Sequence, residues 1–203
     1  MQLKDNFWLK DNKYSLQDMV SPQNLINDKI DPLVIQDFVG GTVYQAFLNP
    51  WCYHRWHSPV DGKVLSTYRL PGAYYLQNPG IIDQTGNEEN YINSQPFLSC
   101  TSVRQIYLIE ATNKKIGKIF LVMVGMAEVS GVQTFKNAGD DVKKGELIGQ
   151  FRFGGSSHCV IFDKNCVLDF SPSLKDAYYW DIRQQIYLSD KRLVRSPLAR
   201  VCY

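Results

Sequence analysis

The chain is predicted to be an α+β domain, mainly antiparallel β-sheets, with short helices near the N-terminus. Helix-type apolar spacing with capping residues is confined to the first forty positions. From Thr42 onward, short β-type runs follow one another between turn residues. The 203 residues, 44% hydrophobic and 21% charged, suit one domain with an ordinary core.

Residues 15–20 set Leu16, Met19 and Val20 at helix-compatible spacing. Ser15 is the expected cap, and Asp18 three positions on makes an acidic version of the reciprocal capping pair. Pro22 stops that helix, and residues 24–28 are expected to add another turn. Pro32 suits the first position of a short helix through Phe38, ended by Gly40 and Gly41. Strands are expected at 42–48, 63–70, 97–102, 105–111, 118–124, 128–134, 147–153 and 159–162. Asn113-Lys114-Lys115-Ile116-Gly117 joins two of these runs as a hairpin. Residues 78–95, polar and containing Pro79, Gly80 and Gly86, read as a surface loop positioned to cover a site.

The 22 basic and 20 acidic residues balance to a net charge of +2, and no long basic run tracks a phosphate backbone. A nucleic-acid partner is therefore not expected. No apolar run reaches the roughly 18 residues that cross a bilayer. The longest candidate, 116–127, is broken by Gly117, Lys118 and Gly125. Residues 1–12 are charged and lack the apolar stretch of a signal peptide. Cys52, Cys100, Cys159, Cys166 and Cys202 match neither a zinc ribbon nor a redox pair. They read as buried thiols in a reducing, cytoplasmic setting, with no metal. Peripheral contact with a membrane and pairing of two protomers stay open.

Two distant segments resemble the halves of lipoyl- and biotinyl-carrier hairpins: residues 58–64 and residues 139–149. Lys63 lacks the flanking residues of a carrier lysine, so the likeness is read as architectural.

The most informative segment is Phe151-Arg152-Phe153-Gly154-Gly155-Ser156-Ser157-His158-Cys159. By itself, Gly-Gly-Ser-Ser is a turn in which glycine supplies conformational freedom and serine bonds the backbone. Well upstream stands Tyr53-His54-Arg55-Trp56-His57-Ser58-Pro59. Two histidines three apart suit packing, metal ligation or proton transfer, and no Cys or carboxylate at supporting spacing favours the metal.

Together the two segments resemble the phosphatidylserine decarboxylase family, where a YHRxHSP motif is paired with a later glycine-rich motif ending in Gly-Ser-(Thr/Ser). Here these are Tyr53 to Pro59 and Lys144 to Ser157. Val124-Gly125-Met126-Ala127-Glu128-Val129-Ser130 is similar to the family's core strand. The likeness reaches upstream to Tyr14-Ser15-Leu16 and 38–48, and covers nearly all of residues 7–170.

The resemblance implies a pyruvoyl-dependent decarboxylase that makes its cofactor from its own chain. Loss of CO2 from an α-amino acid leaves a carbanion that needs an electron sink, and a pyruvoyl carbonyl supplies one. Ser156 would attack the carbonyl of Gly155. Elimination would then divide the single 1–203 domain into a β chain, 1–155, and an α chain that begins as pyruvoyl at 156. Glycine permits the backbone geometry of that attack. His57 corresponds to the family's catalytic histidine and is expected to activate Ser156 and later to protonate the carbanion. His54 is expected to support processing or substrate binding. The family's orienting aspartate belongs to a motif expected upstream of Phe7, so the resemblance implies an N-terminally truncated chain, a branch without that aspartate, or one that processes poorly; Asp61-Gly62 is a different position. His158 and Glu128 read as structural.

The expected reaction is phosphatidylserine to phosphatidylethanolamine. A soluble aromatic amino acid such as tryptophan is the alternative, because amino-acid decarboxylases resembling this family share the style of Phe7-Trp8-Leu9-Lys10 and Gly-Gly-Ser-Ser. An inactive relative serving as a binding module is the third reading.

Overall fold

Ser15 and Asp18 satisfy each other as the sequence predicts. The Asp18 amide donates to Ser15 Oγ at 3.1 Å, and the Ser15 amide donates to Asp18 Oδ2 at 3.0 Å. That reciprocal cap starts α1 (Leu16–Val20), and Asp31, accepting from the Leu33 amide at 2.9 Å, starts α2 (Pro32–Gln36). The computed structural model describes residues 7–9, 12–20, 31–48, 53–74, 95–126, 131–152, 156–170 and 197–202. The expected turn at 24–28, the loop at 78–95, and Cys52, Glu128, Gly154 and Gly155 lie outside these residues.

The remaining elements are β1 (Phe7–Leu9), β2 (Asn12–Tyr14), β3 (Thr42–Leu48), β4 (Arg55–His57), β5 (Gly62–Leu70), α3 (Gln95–Thr101), β6 (Arg104–Ala111), β7 (Lys118–Gly125), β8 (Gly131–Thr134), β9 (Asp141–Val142), β10 (Leu147–Arg152), β11 (Ser156–Phe162), β12 (Leu168–Phe170) and β13 (Ala199–Val201). The pairings between these strands are antiparallel, as expected for this fold class. A six-stranded sheet runs β3-β11-β7-β6-β5-β9, and a three-stranded sheet runs β4-β10-β8.

Strands β6, β7 and β11 are apolar on both sides, the pattern of a sheet covered on both faces. Ile106, Leu108, Phe120, Val122, Val124, Cys159 and Ile161 join the helical residues Leu16, Met19, Val20, Ile35 and Leu98 in one core. Tyr107, Ile109, Ile119, Leu121, Met123, Val160 and Phe162 face the other way and meet Trp56, Ile148 and Phe151 of the small sheet. The domain is therefore three layers: helices, large sheet, small sheet.

Residues 97–102 correct an expectation. They lie almost entirely in helix α3, not in a strand. Thr101 Oγ1 donates to the Phe97 carbonyl at 2.8 Å, and Leu98 is buried in the helical core beside α1. A short apolar run does not distinguish helix from strand by periodicity, and packing against α1 decides it. β11 also begins at Ser156, three positions earlier than expected, so the serine pair belongs to a strand.

The buried Arg104 ties α1 to the sheet. Its Nε donates to the Met19 carbonyl at 2.7 Å and its Nη2 to the Asp18 carbonyl at 2.8 Å, so a cation caps carbonyls that the helix end leaves unpaired. The two carrier-like segments also meet. The Gly145 amide donates to the Ser58 carbonyl at 2.7 Å, and the Lys144 amide to Asp61 Oδ1 at 2.8 Å. Lys63 lies within β5, opposite Glu110 and Asp141, and not at a hairpin tip.

Gly149 shows why the glycine-rich motif packs as it does. β10 shifts register against β4 between Leu147 and Gly149, and a Cβ at Gly149 would lie 2.3 Å from Trp56 Cε3. The indole therefore rests on bare backbone. Gly149→Ala is expected to destabilise the protein by about 1–3 kcal/mol through overpacking, read as a lower urea midpoint. An unchanged midpoint would contradict this packing.

Candidate functional site

The burial of Trp56 decides which way each histidine of the motif faces. Side chains alternate along an extended chain, and Trp56 is 3% exposed within the inter-sheet core. His54, two residues before it, shares that inward side. Its ring lies edge-on to Phe151 at 6.4 Å between centroids, and its carbonyl accepts from the Phe151 amide at 2.8 Å. His57 and Tyr53 have the opposite parity. Their rings stack at 5.6 Å, and Tyr53 is 43% exposed.

Both nitrogens of His57 are engaged. Nδ1 is 2.8 Å from the Gly145 carbonyl and Nε2 is 2.7 Å from the Tyr53 hydroxyl. A carbonyl only accepts, so Nδ1 donates and the neutral ring receives the Tyr53 proton at Nε2. This pair pins β4 to the turn before β10.

β11 pairs with β3 and β7 without a register break from Ser156 to Phe162. Val160 and Phe162 lie in the inter-sheet core, so Ser156 and His158 face the same layer, the side on which His54 and Trp56 stand. Ser157 faces the helices with Cys159 and Ile161. Ser156 and Ser157 are both 0% exposed, and neither hydroxyl meets a hydrogen-bond partner among the described residues. A buried hydroxyl left unpaired costs about 1–3 kcal/mol. Gly125 lies opposite Ser156 on β7 and contributes no side chain to the space beside it.

The structure thus brings Ser156, His158, His54, Trp56 and Phe151 to one inter-sheet layer, and sets His57 on the outer side of β4. No hydrogen bond links Ser156 to either histidine among the described residues. The alternation around Trp56 is the sequence signal that separates the two histidines. His158 is also part of this layer, against Tyr44 at 5.9 Å between ring centroids. The thiols of Cys159 and Cys100 sit on the helical side, where burial pushes each up to about 12. A surface depression lined by Lys63, Glu110 and Lys143 lies at the opposite end of the large sheet, by the far ends of β6 and β7.

Burial pushes the His158 imidazole down from 6.5 to about 4. The unfolded chain then binds this proton first. Stability from the neutral ring is full above pH 6.5 and is lost as pH falls through 6.5 towards 4. In an NMR titration, the His158 ring is expected to titrate near pH 4; a midpoint near 6.5 would contradict the burial.

Comparison with known proteins places the chain in a family. A family model described as phosphatidylserine decarboxylase matches residues 1–186. The chain is 38% identical over 174 residues to decarboxylase iboD of Amanita muscaria, covering 82% of this chain and 47% of that protein. It is 37% identical over 171 residues to the L-tryptophan decarboxylase of Psilocybe cubensis, covering 82% and 37%. It is 29% identical over 188 residues to the phosphatidylserine decarboxylase proenzyme of Fusobacterium nucleatum, covering 92% and 55%. The chain spans between 37% and 55% of the length of these three relatives. With two motifs in order and a family model that matches residues 1–186, this chain belongs to the phosphatidylserine decarboxylase family.

Proposed function

We propose that this chain carries the catalytic region of a pyruvoyl-dependent carboxy-lyase, self-processed between Gly155 and Ser156, that converts phosphatidylserine to phosphatidylethanolamine. The observation that carries the reading is Ser156 itself: a buried hydroxyl without a hydrogen-bond partner, at the first position of β11, facing the layer of His54. Ser157 is equally unpartnered but faces the helices, so it is the position and facing of the Ser156 hydroxyl that suit the precursor of a pyruvoyl group.

The chemistry balances with this chain's own atoms and one water. Ser156 Oγ attacks the Gly155 carbonyl as its proton leaves to a base, and the peptide nitrogen recovers a proton as the amide becomes an ester. Removal of the Ser156 Cα proton expels the Gly155 carboxylate and leaves a dehydroalanine at 156. Water then replaces its nitrogen, which departs as ammonia. The resulting pyruvoyl group supplies the carbonyl that accepts the electron pair left by CO2.

The inward side of β4 supports His54 as the proton carrier, which exchanges the roles that the motif alone suggests for the two histidines. His57, held at both nitrogens by Gly145 and Tyr53, acts as a positioning residue for β4. Trp56 and Phe151, 4.8 Å apart at their ring centroids, exclude water from the layer.

A second reading, a soluble aromatic amino acid as substrate, is favoured by one observation. The two L-tryptophan decarboxylases are 37% and 39% identical to this chain, against 28% and 29% for two phosphatidylserine decarboxylase proenzymes. Among the described residues no helix is long and apolar enough to cross a membrane. CO2 release from phosphatidylserine vesicles and from tryptophan, assayed side by side, separates the two readings.

Intact mass under denaturing conditions tests the processing. Wild type is expected as two chains that divide before residue 156, and Ser156→Ala as one. Ser157→Ala is expected to divide, because that side chain faces the helices. His54→Gln is expected to slow division by about a hundredfold or more, the scale of lost acid–base catalysis, and His57→Gln by less. A wild-type protein that stays whole would oppose the enzyme reading and favour a binding module; equal rates in both histidine variants would oppose the assignment to His54.

A further inference from the structure

Ser156 Oγ and Trp56 Nε1 face one layer, buried and without a hydrogen-bond partner among the described residues, and the half-buried His158 shares that layer against Tyr44. Buried polar groups are normally paired, so these two orphans beside an imidazole mark a place for a ligand's polar atoms. His158 follows Ser156 by two positions on an unbroken strand. Their Cα atoms are therefore about 7 Å apart, with side chains on one face. The residue as a whole is half-buried, on the strand that carries Ser156.

We propose that His158 is a substrate-binding residue, whose neutral ring donates a hydrogen bond to the α-carboxylate of an amino-acid head group. This rests on the decarboxylase reading. The head group belongs either to a serine phospholipid or to a free amino acid, which share this chemistry.

The surroundings suit a neutral donor. The register neighbours of His158 are Ala46 on β3 and Met123 on β7, and Tyr44 closes the layer beside it. β3, β7 and β11 present no Lys or Arg to this layer. Burial keeps the ring uncharged near neutral pH, down to about 4. A cation here would pair with the carboxylate and stabilise the bound substrate more than the transition state, in which that charge is being lost. A neutral N–H orients the group without that cost.

Two measurements test this on the full chain. The first compares His158→Phe and His158→Gln with wild type, using dihexanoyl-phosphatidylserine and L-tryptophan as separate substrates. Losing a hydrogen bond to a charged group is expected to raise KM about 10- to 100-fold in His158→Phe. The rise should exceed any fall in kcat, and the Gln variant, which keeps an N–H donor, should recover part of it. The second follows the three histidine rings of wild type by NMR as each compound is added. The His158 signal is expected to move with the compound that is the substrate.

A His158→Phe protein that divides into two chains with unchanged KM would overturn the proposal. If that variant fails to fold, a wild-type His158 signal unmoved by saturating amounts of both compounds would overturn it. Wild type that never divides refutes the decarboxylase reading instead, and the ring signal then still reports whether His158 meets the carboxylate.

Discussion

β11 is hydrogen-bonded on both sides, to β3 and to β7, and the register is continuous through all seven of its residues. That double pairing removes any freedom to slip. A shift of one residue would turn Ser156 and His158 towards the helices and Ser157 towards the small sheet. The chemistry assigned to Ser156 depends on this constraint more than on any single contact, because it alone decides which layer receives the hydroxyl.

The constraint is enforced from both faces. Cys159 and Ile161 lock into the helical core, and Val160 and Phe162 into the inter-sheet core. Each apolar side chain is an anchor that a slipped register would expose to the wrong neighbours. The small sheet is held as firmly. Trp56 lies on the bare backbone of Gly149, and His57 bridges the Gly145 turn to Tyr53. The histidine motif and the glycine-rich motif are thus one packed unit, which is why they are informative together and weak apart.

Much of this was readable in the residues. Ser15 with Asp18, and Pro32 ahead of Gly40 and Gly41, announced two helices through local capping chemistry, which needs no tertiary partner. β3 and the β6–β7 hairpin followed from apolar runs bounded by turn residues. Residues 97–102 failed because Phe97, Leu98 and Cys100 suit either state and α1 casts the deciding contact. The three-residue strands β1, β2, β4, β12 and β13 were missed because so few residues carry no period. At the site, the motif alone does not tell which way each histidine faces; the burial of Trp56 does. That His158 shares a layer with Ser156 is not legible in the residues, because only the pairing of β11 shows it.

The account comes down to a reactive carbonyl at position 156. Incubating the purified protein with an amino-acid substrate and cyanoborohydride, then digesting it and sequencing the peptides by mass, tests this most directly. The account predicts a peptide that begins at residue 156 and carries the reduced substrate adduct on a former serine. Recovery of only the unmodified peptide that crosses Gly155–Ser156 would contradict it.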